Sequence, residues 1–302
     1  MSVILNFEEF SLIQLKSQKR EFFMSNTVLV VGSSGTVGSE LVALLKARGD
    51  VVRTTTSKIT SRVNEVHLNL LTGEGLKTAF EGVDQAFFLS PAGYTNQDEI
   101  LLPLIEQAKQ QQIKKVVLMS AYGANASEDL PLRKAEIALE NSGLTYNIIR
   151  PNWFYQNFNS YWIAGILSAG KILVPAGNAK TSFIDARDIA AVAAALLAND
   201  DFKDQAFDLT GPESVTHEEV AQVLSEVTGK SISYQDITPE ELKANLTSAG
   251  LSVAYADFLN VILGYLHAGY NAQINQNVQI ITGRSATGLR KYAEDYKSAW
   301  VG

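Results

Sequence analysis

The 302-residue sequence contains no cysteine and only three histidines, His67, His217 and His267. Without cysteine, disulfide bonds and thiolate chemistry are both excluded. The histidines lie far apart and form neither an HxxxH nor an HExxH pattern. We therefore expect no histidine-based metal site.

The chain also lacks a basic cluster, a signal-peptide pattern and any apolar run of the ~20 residues that span a membrane. A net charge of −7 without clustered lysine and arginine argues against a nucleic-acid surface, which needs cations to displace counterions. We expect a globular cytoplasmic protein without membrane or nucleic-acid partners. Its length and its apolar content of 46% suffice for one large core with a smaller appendage, and a monomer and an oligomer are both compatible with them.

The stretch 26–49 carries the strongest motif. An apolar run over 28–31 enters a turn with Gly32, Gly35 and Gly38, and a periodic helix then ends at Gly49. Such glycines allow a sharp turn, close approach of backbone N–H groups to phosphate, and close packing of helix on sheet. The helix N-terminus adds unpaired N–H groups and the positive end of its dipole. This pattern predicts a dinucleotide site; the alternative is a structural turn.

The end of the predicted second strand, 51–57, indicates which dinucleotide binds. NAD-binding proteins place an Asp or Glu here, which accepts hydrogen bonds from the adenosine ribose. This sequence instead has Thr56, Ser57 and Lys58, with Arg62 close behind. Hydroxyls and cations suit a 2′-phosphate, so we predict NADP(H) over NAD(H); the alternative is a solvated loop.

Strands alternating with helices of about 12 residues predict an α/β protein with parallel βαβ units. We expect a doubly wound parallel-sheet Rossmann fold with a small C-terminal region on the substrate side. The NAD(P)-binding core is predicted over 24–150 and 181–211, and the smaller region over 151–180 and 212–302. Residues 1–23 are predicted to be a dispensable extension, the alternative being a partner-binding helix.

Local signals predict several helix boundaries. Asp129 is expected to cap a helix that begins at Pro131, and Thr216 and Glu219 form a capping-box pattern. Residues 230–290 are predicted to be helical with polar loops. An amphipathic helix is predicted over 289–301.

Five segments resemble the NmrA-like branch of atypical short-chain dehydrogenases/reductases, which includes quinone and dye reductases. They are VVGSSGTVGSELVALL, GVDQAFFLSP, LPLRKAEIALENSGLTYNIIRPNWFYQNF, SFIDARDIAAVAAALL and GRSATGLRKYAEDY. The spacing GxxGxxG of the first segment is similar to that of the extended and atypical members. The resemblance covers residues 27–301 nearly end to end.

The resemblance implies an NAD(P)-binding site with assigned residues. Its pyrophosphate-binding residues would be Gly32, Ser34, Gly35, Thr36, Val37 and Gly38. Those near the adenosine phosphate and the adenine would be Ser57, Lys58 and Asn69. Those near the ribose and the nicotinamide would be Leu89, Ser90, Pro91, Pro151 and Asn152.

The catalytic group is less constrained by the pattern. Standard members of the superfamily use Tyr-x-x-x-Lys, where lysine lowers the pKa of the tyrosine. Here Tyr122 is followed by Ala126 at that spacing. The candidate catalytic residues are Ser120, Tyr122 and Lys134. The resemblance places the functional cation or imidazole nearer position 132, which favours Lys134 as a solvated helix residue.

An aromatic block follows Pro151 and suits a flat acceptor stacked on the nicotinamide. Its candidate substrate-binding residues are Trp153, Phe154, Tyr155, Asn157 and Phe158, with Tyr161 and Trp162 beyond them. We expect at least half of these aromatic side chains only to pack the small region against the sheet.

The sequence thus favours an NAD(P)H-dependent reductase of a small conjugated acceptor such as a quinone, dye or enone. The alternative is a non-catalytic NADP(H)-binding sensor of the NmrA type, which the missing Tyr/Lys pair favours; the same absence disfavours a sugar-nucleotide epimerase.

Overall fold

A computed structural model describes residues 26–301. The predicted extension at 1–23 lies outside the described residues. Nine strands are present in this range: β1 (Thr27–Val30), β2 (Val51–Thr56), β3 (Glu65–His67), β4 (Gln85–Leu89), β5 (Lys115–Met119), β6 (Thr145–Pro151), β7 (Lys171–Val174), β8 (Gln205–Leu209) and β9 (Ser233–Asp236).

Twelve α-helices accompany the strands between residues 26 and 301. They are α1 (Thr36–Arg48), α2 (Leu76–Phe80), α3 (Gln97–Gln110), α4 (Pro131–Glu140), α5 (Ile163–Ala169), α6 (Ala186–Ala198), α7 (His217–Thr228), α8 (Pro239–Ser248), α9 (Val253–His267), α10 (Asn277–Thr282), α11 (Leu289–Asp295) and α12 (Ser298–Val301). None of them is both long and apolar enough to cross a bilayer.

Seven strands form one parallel sheet in the order β3-β2-β1-β4-β5-β6-β8. Side chains alternate between its faces, so Val28 and Val30 join the core beneath α1 and α6, whereas Leu29 and Val31 join the core beneath α3 and α4. The apolar strands are buried on both faces, as a parallel sheet requires. The predicted doubly wound Rossmann fold is confirmed.

A second, two-stranded parallel sheet pairs β7 with β9 and supports a separate core. This core contains residues from the aromatic block and from α7, α9 and α11, including Tyr155, Leu224, Leu263 and Tyr292. The prediction of only helices and loops over 230–290 is wrong at β9. Its four residues are mostly exposed, and they pair with a strand about sixty positions earlier, which leaves no local periodic signal.

Helix ends follow the local signals in most cases. Gly49 ends α1 in the left-handed conformation at φ 97°, and Thr216 with Glu219 forms the predicted capping box. The expectation for Asp129 is wrong, because Leu130 is the N-cap residue and Pro131 occupies the first helical turn. The predicted helix over 289–301 is interrupted, and α11 and α12 replace it.

Candidate active site

The turn after β1 has a geometry that only glycine permits at two positions. Gly32 adopts a φ of 74°, and a Cβ there would lie 2.6 Å from Leu89 Cδ1. A Cβ on Gly38 would lie 2.1 Å from the carbonyl oxygen of Gly32. Gly35 is the N-cap residue of α1, and it provides no side-chain cap for the first N–H groups of the helix. The turn therefore presents free backbone donors in an open cradle.

Ser33 fixes this turn to the neighbouring strand. Its hydroxyl donates to the carbonyl oxygen of Thr55 at 3.2 Å and accepts from the Thr55 N–H at 3.3 Å. The carboxyl end of β2 is thus held beside the glycine turn, and Ser57 and Lys58 follow it as exposed residues. No carboxylate occurs from 56 to 62, and the side chain of Arg62 is 82% exposed.

Further residues that were predicted to bind the cofactor follow other strands at the same edge of the sheet. Asn69 Oδ1 accepts from the N–H groups of Leu71 and Thr72 at 3.0 and 3.2 Å, which shapes the loop after β3. Leu89 ends β4 against Gly32, and the half-buried residues 90 and 91 continue from it along the same sheet edge. All of these positions follow carboxyl ends of strands, where Rossmann folds bind their ligands.

The candidate proton donor follows β5. The Tyr122 N–H donates to the carbonyl oxygen of Pro151 at 3.0 Å, which fixes the backbone beside the end of β6. Burial raises the pKa of the Tyr122 phenol, and the negative charge of Asp208 raises it further. Among residues 26–301 no lysine lowers this pKa, so the described surroundings make Tyr122 a weak acid at neutral pH.

The other two candidate catalytic residues contact carboxylates. Ser120 is buried, and its hydroxyl lies beside the carboxylate of Glu136 on α4. Lys134 is half exposed, and its Nζ lies 4.0 Å from Asp98 Oδ2 on α3. Lys134 therefore lies in a helix–helix surface pair.

A cavity of about 340 Å³ opens beside Tyr122. Its other walls come from β6, from β8 and from the segment 273–277 that follows α9. The lining residues are Tyr122, Arg150, Ala206, Asp208, Gln273, Ile274, Asn275 and Asn277. The cavity is thus polar, and it lies at the carboxyl edge of the sheet beyond the glycine turn.

A buried ion-pair network forms the floor of this region. Glu136 is fully buried and accepts from Arg150 Nε and Nη2 at 2.8 and 2.7 Å. Arg133 donates to Glu136 at 2.9 Å and to both oxygens of Glu140 at 2.7 and 3.0 Å. Burial alone would raise the pKa of Glu136, but the hydrogen bonds from Arg150, with contacts from Ser120 and Arg133, hold it below its usual range.

Asp208 faces the free side of Arg150. The two residues are register partners on β8 and β6, and Arg150 Nη1 lies 3.7 Å from Asp208 Oδ1, longer than a hydrogen bond. Burial raises the pKa of Asp208, Arg150 opposes this effect, and Glu136 adds to it. The sequence analysis did not predict this pair. A charged residue inside each of two largely apolar strands could have indicated it, because buried charges are usually paired.

A second buried network holds the segment whose residues 273–277 line the cavity. Asn152 Nδ2 donates to Ser182 Oγ at 2.8 Å and to the carbonyl oxygen of Asn271 at 2.9 Å. Asn271 Nδ2 donates back to Asn152 Oδ1 at 2.8 Å. Further along, the side chains of Asn275 and Asn277 donate to the main-chain oxygen at position 208 at 3.0 and 2.8 Å. The carboxamide of Asn152 is therefore engaged in holding the segment after α9.

The aromatic block divides into core and partly exposed residues. Tyr155 and Phe158 are completely buried in the core of the second sheet, which argues against the predicted substrate contact for these two rings. Residues 153, 154 and 157 are half-buried, and the ring of Trp153 stacks on Trp162 with a centroid distance of 6.2 Å. Tyr161 is 60% exposed.

The sheet order and the glycine turn define a Rossmann-fold protein. The family model described as the NmrA-like family matches residues 24–280, and the chain belongs to that family. Among residues 26–301, no group of three or more His, Asp or Glu side chains is placed to hold a metal ion.

Two relatives match nearly the whole chain. An NAD(P)H azoreductase of Xenophilus azovorans is 32% identical over 286 residues, covering 90% of this chain and 99% of the relative. Prestalk A differentiation protein A of Dictyostelium discoideum is 27% identical over 279 residues, covering 89% of this chain and 92% of the relative.

Solved structures share the fold. The Citrobacter sp. triphenylmethane reductase complexed with NADP(H) superposes with a TM-score of 0.77 at 22% identity, covering 89% of this chain and 99% of that chain. An NADPH-dependent quinone oxidoreductase from Escherichia coli superposes with a TM-score of 0.71 at 22% identity, covering 89% and 98%.

Proposed function

We propose that this protein is an NAD(P)H-dependent oxidoreductase that transfers hydride to a small conjugated acceptor of the quinone, dye or enone type. The observation that carries the proposal is the polar cavity beside Tyr122, on the same sheet edge as the uncapped glycine turn. A dinucleotide bound on the turn and an acceptor bound in the cavity would meet near the end of β5.

The spacing of the strands supports this arrangement. Neighbouring strands lie ~4.8 Å apart, so the ends of β6 and β8 are roughly 14 and 19 Å from the end of β1. A pyrophosphate at the end of β1 leaves the nicotinamide half to run past β4 toward β5. The cavity, which is lined by residues of β6, β8 and the segment after β5, lies in that direction.

The residues present fit a dinucleotide. The space that a Cβ on Gly32 or Gly38 would fill is kept open, and the first N–H groups of α1 have no side-chain partner. By the family pattern, residues 32–38 would hold the pyrophosphate, Ser57 and Lys58 the 2′-phosphate of NADP(H), and Asn69 would lie near the adenine. Residues 89–91 would contact the ribose, and residues 151 and 152 the nicotinamide.

The bound nucleotide supplies a hydride when reduced. The chain's own residues then position the acceptor and exclude water. Trp153 and Phe154, which are partly buried outside the cavity wall, would contact any part of the acceptor that extends beyond it. Tyr122 would donate a proton to the reduced acceptor from a phenol whose pKa is raised. Such a weak acid suits electron-poor acceptors, because their reduction does not depend on strong acid catalysis.

The relatives support the same class of reaction. The azoreductase, the triphenylmethane reductase and the quinone oxidoreductase are all named for reductions of conjugated molecules. A second candidate function is an NADP(H)-binding sensor without turnover. The observation that favours it is that no lysine in the described part of the chain lowers the pKa of Tyr122, and Lys134 pairs with Asp98 instead.

One experiment separates the two functions. The purified protein is titrated with NADPH and NADH by calorimetry, and then mixed with NADPH and a panel containing a naphthoquinone, an azo dye and a cyclic enone. Loss of the reduced-nicotinamide absorbance with any acceptor supports the reductase. Tight NADPH binding without turnover across the panel supports the sensor, and no binding of either nucleotide contradicts both.

A further inference from the structure

The ion network beside the cavity contains more negatively charged groups than positively charged ones. Two guanidinium groups, Arg133 and Arg150, face three carboxylates, Glu136, Glu140 and Asp208. Both oxygens of Glu136 accept from Arg150, and both oxygens of Glu140 accept from Arg133. Asp208 is therefore the carboxylate left over.

The Asp208 carboxylate is incompletely satisfied within the described chain. Its Oδ1 is buried without a hydrogen-bond partner, the nearest guanidinium nitrogen lies 3.7 Å away, and the side chain as a whole is 40% exposed. Asn275 and Asn277 donate to the main-chain oxygen of this residue and leave its carboxylate unbound. Oδ1 itself is inaccessible, so a donor on a bound ligand would contact the exposed part of this carboxylate.

The remaining lining adds no compensating cation. Besides Asp208 and Arg150, whose Nε and Nη2 are already engaged by Glu136, the cavity wall consists of the Tyr122 phenol, an alanine, an isoleucine and three amide side chains. A bound anion would thus meet one surplus negative charge in a confined space. A positively charged group or an N–H or O–H donor would meet a free carboxylate.

We propose that Asp208 is the specificity-determining residue of the acceptor cavity, and that it selects acceptors carrying an ammonium or another hydrogen-bond donor over anionic acceptors. The proposal rests on the proposed function, because it takes the cavity to be the acceptor site. Discrimination of this kind combines one attractive contact with repulsion of the wrong ligand.

The test uses two azobenzene dyes with one chromophore, one bearing an aminomethyl group and the other a sulfonate at the same ring position. For the wild-type protein at about pH 8, well above the ordinary pKa range of carboxyl groups, kcat/KM is expected to be higher for the aminomethyl dye. Asp208→Asn is expected to lower the ratio of the two kcat/KM values by about tenfold, and Asp208→Glu to retain most of it. Asp201→Asn removes the same charge from an exposed position outside the cavity and should leave the ratio unchanged.

An unchanged ratio in Asp208→Asn, or a wild-type preference for the sulfonate, overturns the proposal. Calorimetric binding of both dyes in the presence of NADP⁺ provides a readout that needs no turnover. If NADPH binds but no dye is reduced, the proposed reductase function fails, while the ratio of the two dissociation constants tests Asp208 in the same way. If neither dye binds the wild-type protein, the cavity is not the acceptor site and the proposal is overturned.

Discussion

The α-carbon of Gly38 lies against the carbonyl oxygen of Gly32, so closely that a Cβ on Gly38 would lie 2.1 Å from that oxygen. No side-chain rotation relieves such a contact, because both partners are backbone. The first turn of α1 therefore meets the end of β1 at a distance that depends on glycine at position 38.

Gly38→Ala is expected to displace the turn. We predict a loss of about 1–3 kcal/mol in the free energy of unfolding, as for other overpacked sites, and an NADPH dissociation constant raised about tenfold. Gly264→Ala is the matched control, since it adds the same methyl group to a helix where no atom lies within 4 Å. That variant should gain up to about 1 kcal/mol from helix propensity. Urea unfolding and calorimetry measure both effects, and wild-type NADPH affinity in Gly38→Ala would contradict the assigned role of the turn.

Lys58→Asp tests the cofactor preference. A carboxylate at this exposed position after β2 would repel a 2′-phosphate and could accept hydrogen bonds from a free ribose. We predict that the NADPH dissociation constant rises about tenfold while the NADH constant stays equal or falls. Lys203→Asp makes the same charge change at the opposite edge of the sheet and should alter neither. Equal affinities for NADPH in the wild-type protein and Lys58→Asp would assign the 2′-phosphate to other residues.

Tyr122→Phe removes the candidate proton donor and keeps the ring. We expect kcat for an enone to fall about a hundredfold, with a smaller loss for a quinone and an unchanged NADPH dissociation constant. Because the pKa of Tyr122 is raised, its deprotonation should not reduce the wild-type rate between about pH 6 and 9. Tyr270→Phe, at a largely exposed ring, is the control. Unchanged enone turnover would remove Tyr122 from the mechanism.

Glu136→Gln tests the buried ion network. The substitution leaves the buried guanidinium of Arg150 without its bidentate partner, and we predict a loss of about 3–5 kcal/mol in the free energy of unfolding. Glu140→Gln changes a partly exposed partner of Arg133 and should cost within about 1 kcal/mol. Chemical denaturation compares the two variants. Equal losses in the two variants would mean that the burial of Glu136 does not determine its contribution to the free energy of unfolding.

The burial of His217 predicts that the free energy of unfolding falls at acidic pH. Its ring is fully buried and is surrounded at centroid distances of 5.4 to 5.9 Å by Phe158, Trp162, Phe183 and Tyr234. Neither ring nitrogen has a hydrogen-bond partner among the residues that the structure describes. Burial lowers its pKa to about 4, against about 6.5 in the unfolded chain. Because the unfolded state binds the proton more readily, stability should be full above about pH 6.5 and fall by up to about 3 kcal/mol toward pH 4.

His217→Phe should remove this part of the pH dependence, whereas His267→Gln, at an exposed position, should retain it. Urea unfolding at several pH values measures the slopes. The same acid-side slope in His217→Phe and in the wild-type protein would assign the dependence to other groups.

Local sequence signals predicted most of the nucleotide-binding half. The glycine turn, the apolar strands and the left-handed Gly49 follow from contacts between residues a few positions apart. Such contacts leave a period of two or 3.6 in the sequence, or require glycine outright. The family resemblance covers the same segments and agrees with them.

The contacts around the cavity could not be predicted from local sequence signals. Arg150 and Asp208 become neighbours only through the pairing of β6 with β8, and Asn152 meets Asn271 across 119 positions. The strand β9 likewise depends on a distant partner, and the two buried rings at 155 and 158 resemble exposed ones in the sequence.

The sequence by itself determined the fold class and the nucleotide-type turn, because both are encoded by hydrophobic periodicity and by glycine at fixed spacing. Only the tertiary structure decided which aromatic rings are buried and which charges meet at the cavity. Those outcomes depend on strand order and on long-range packing, which bring together residues that no local pattern relates.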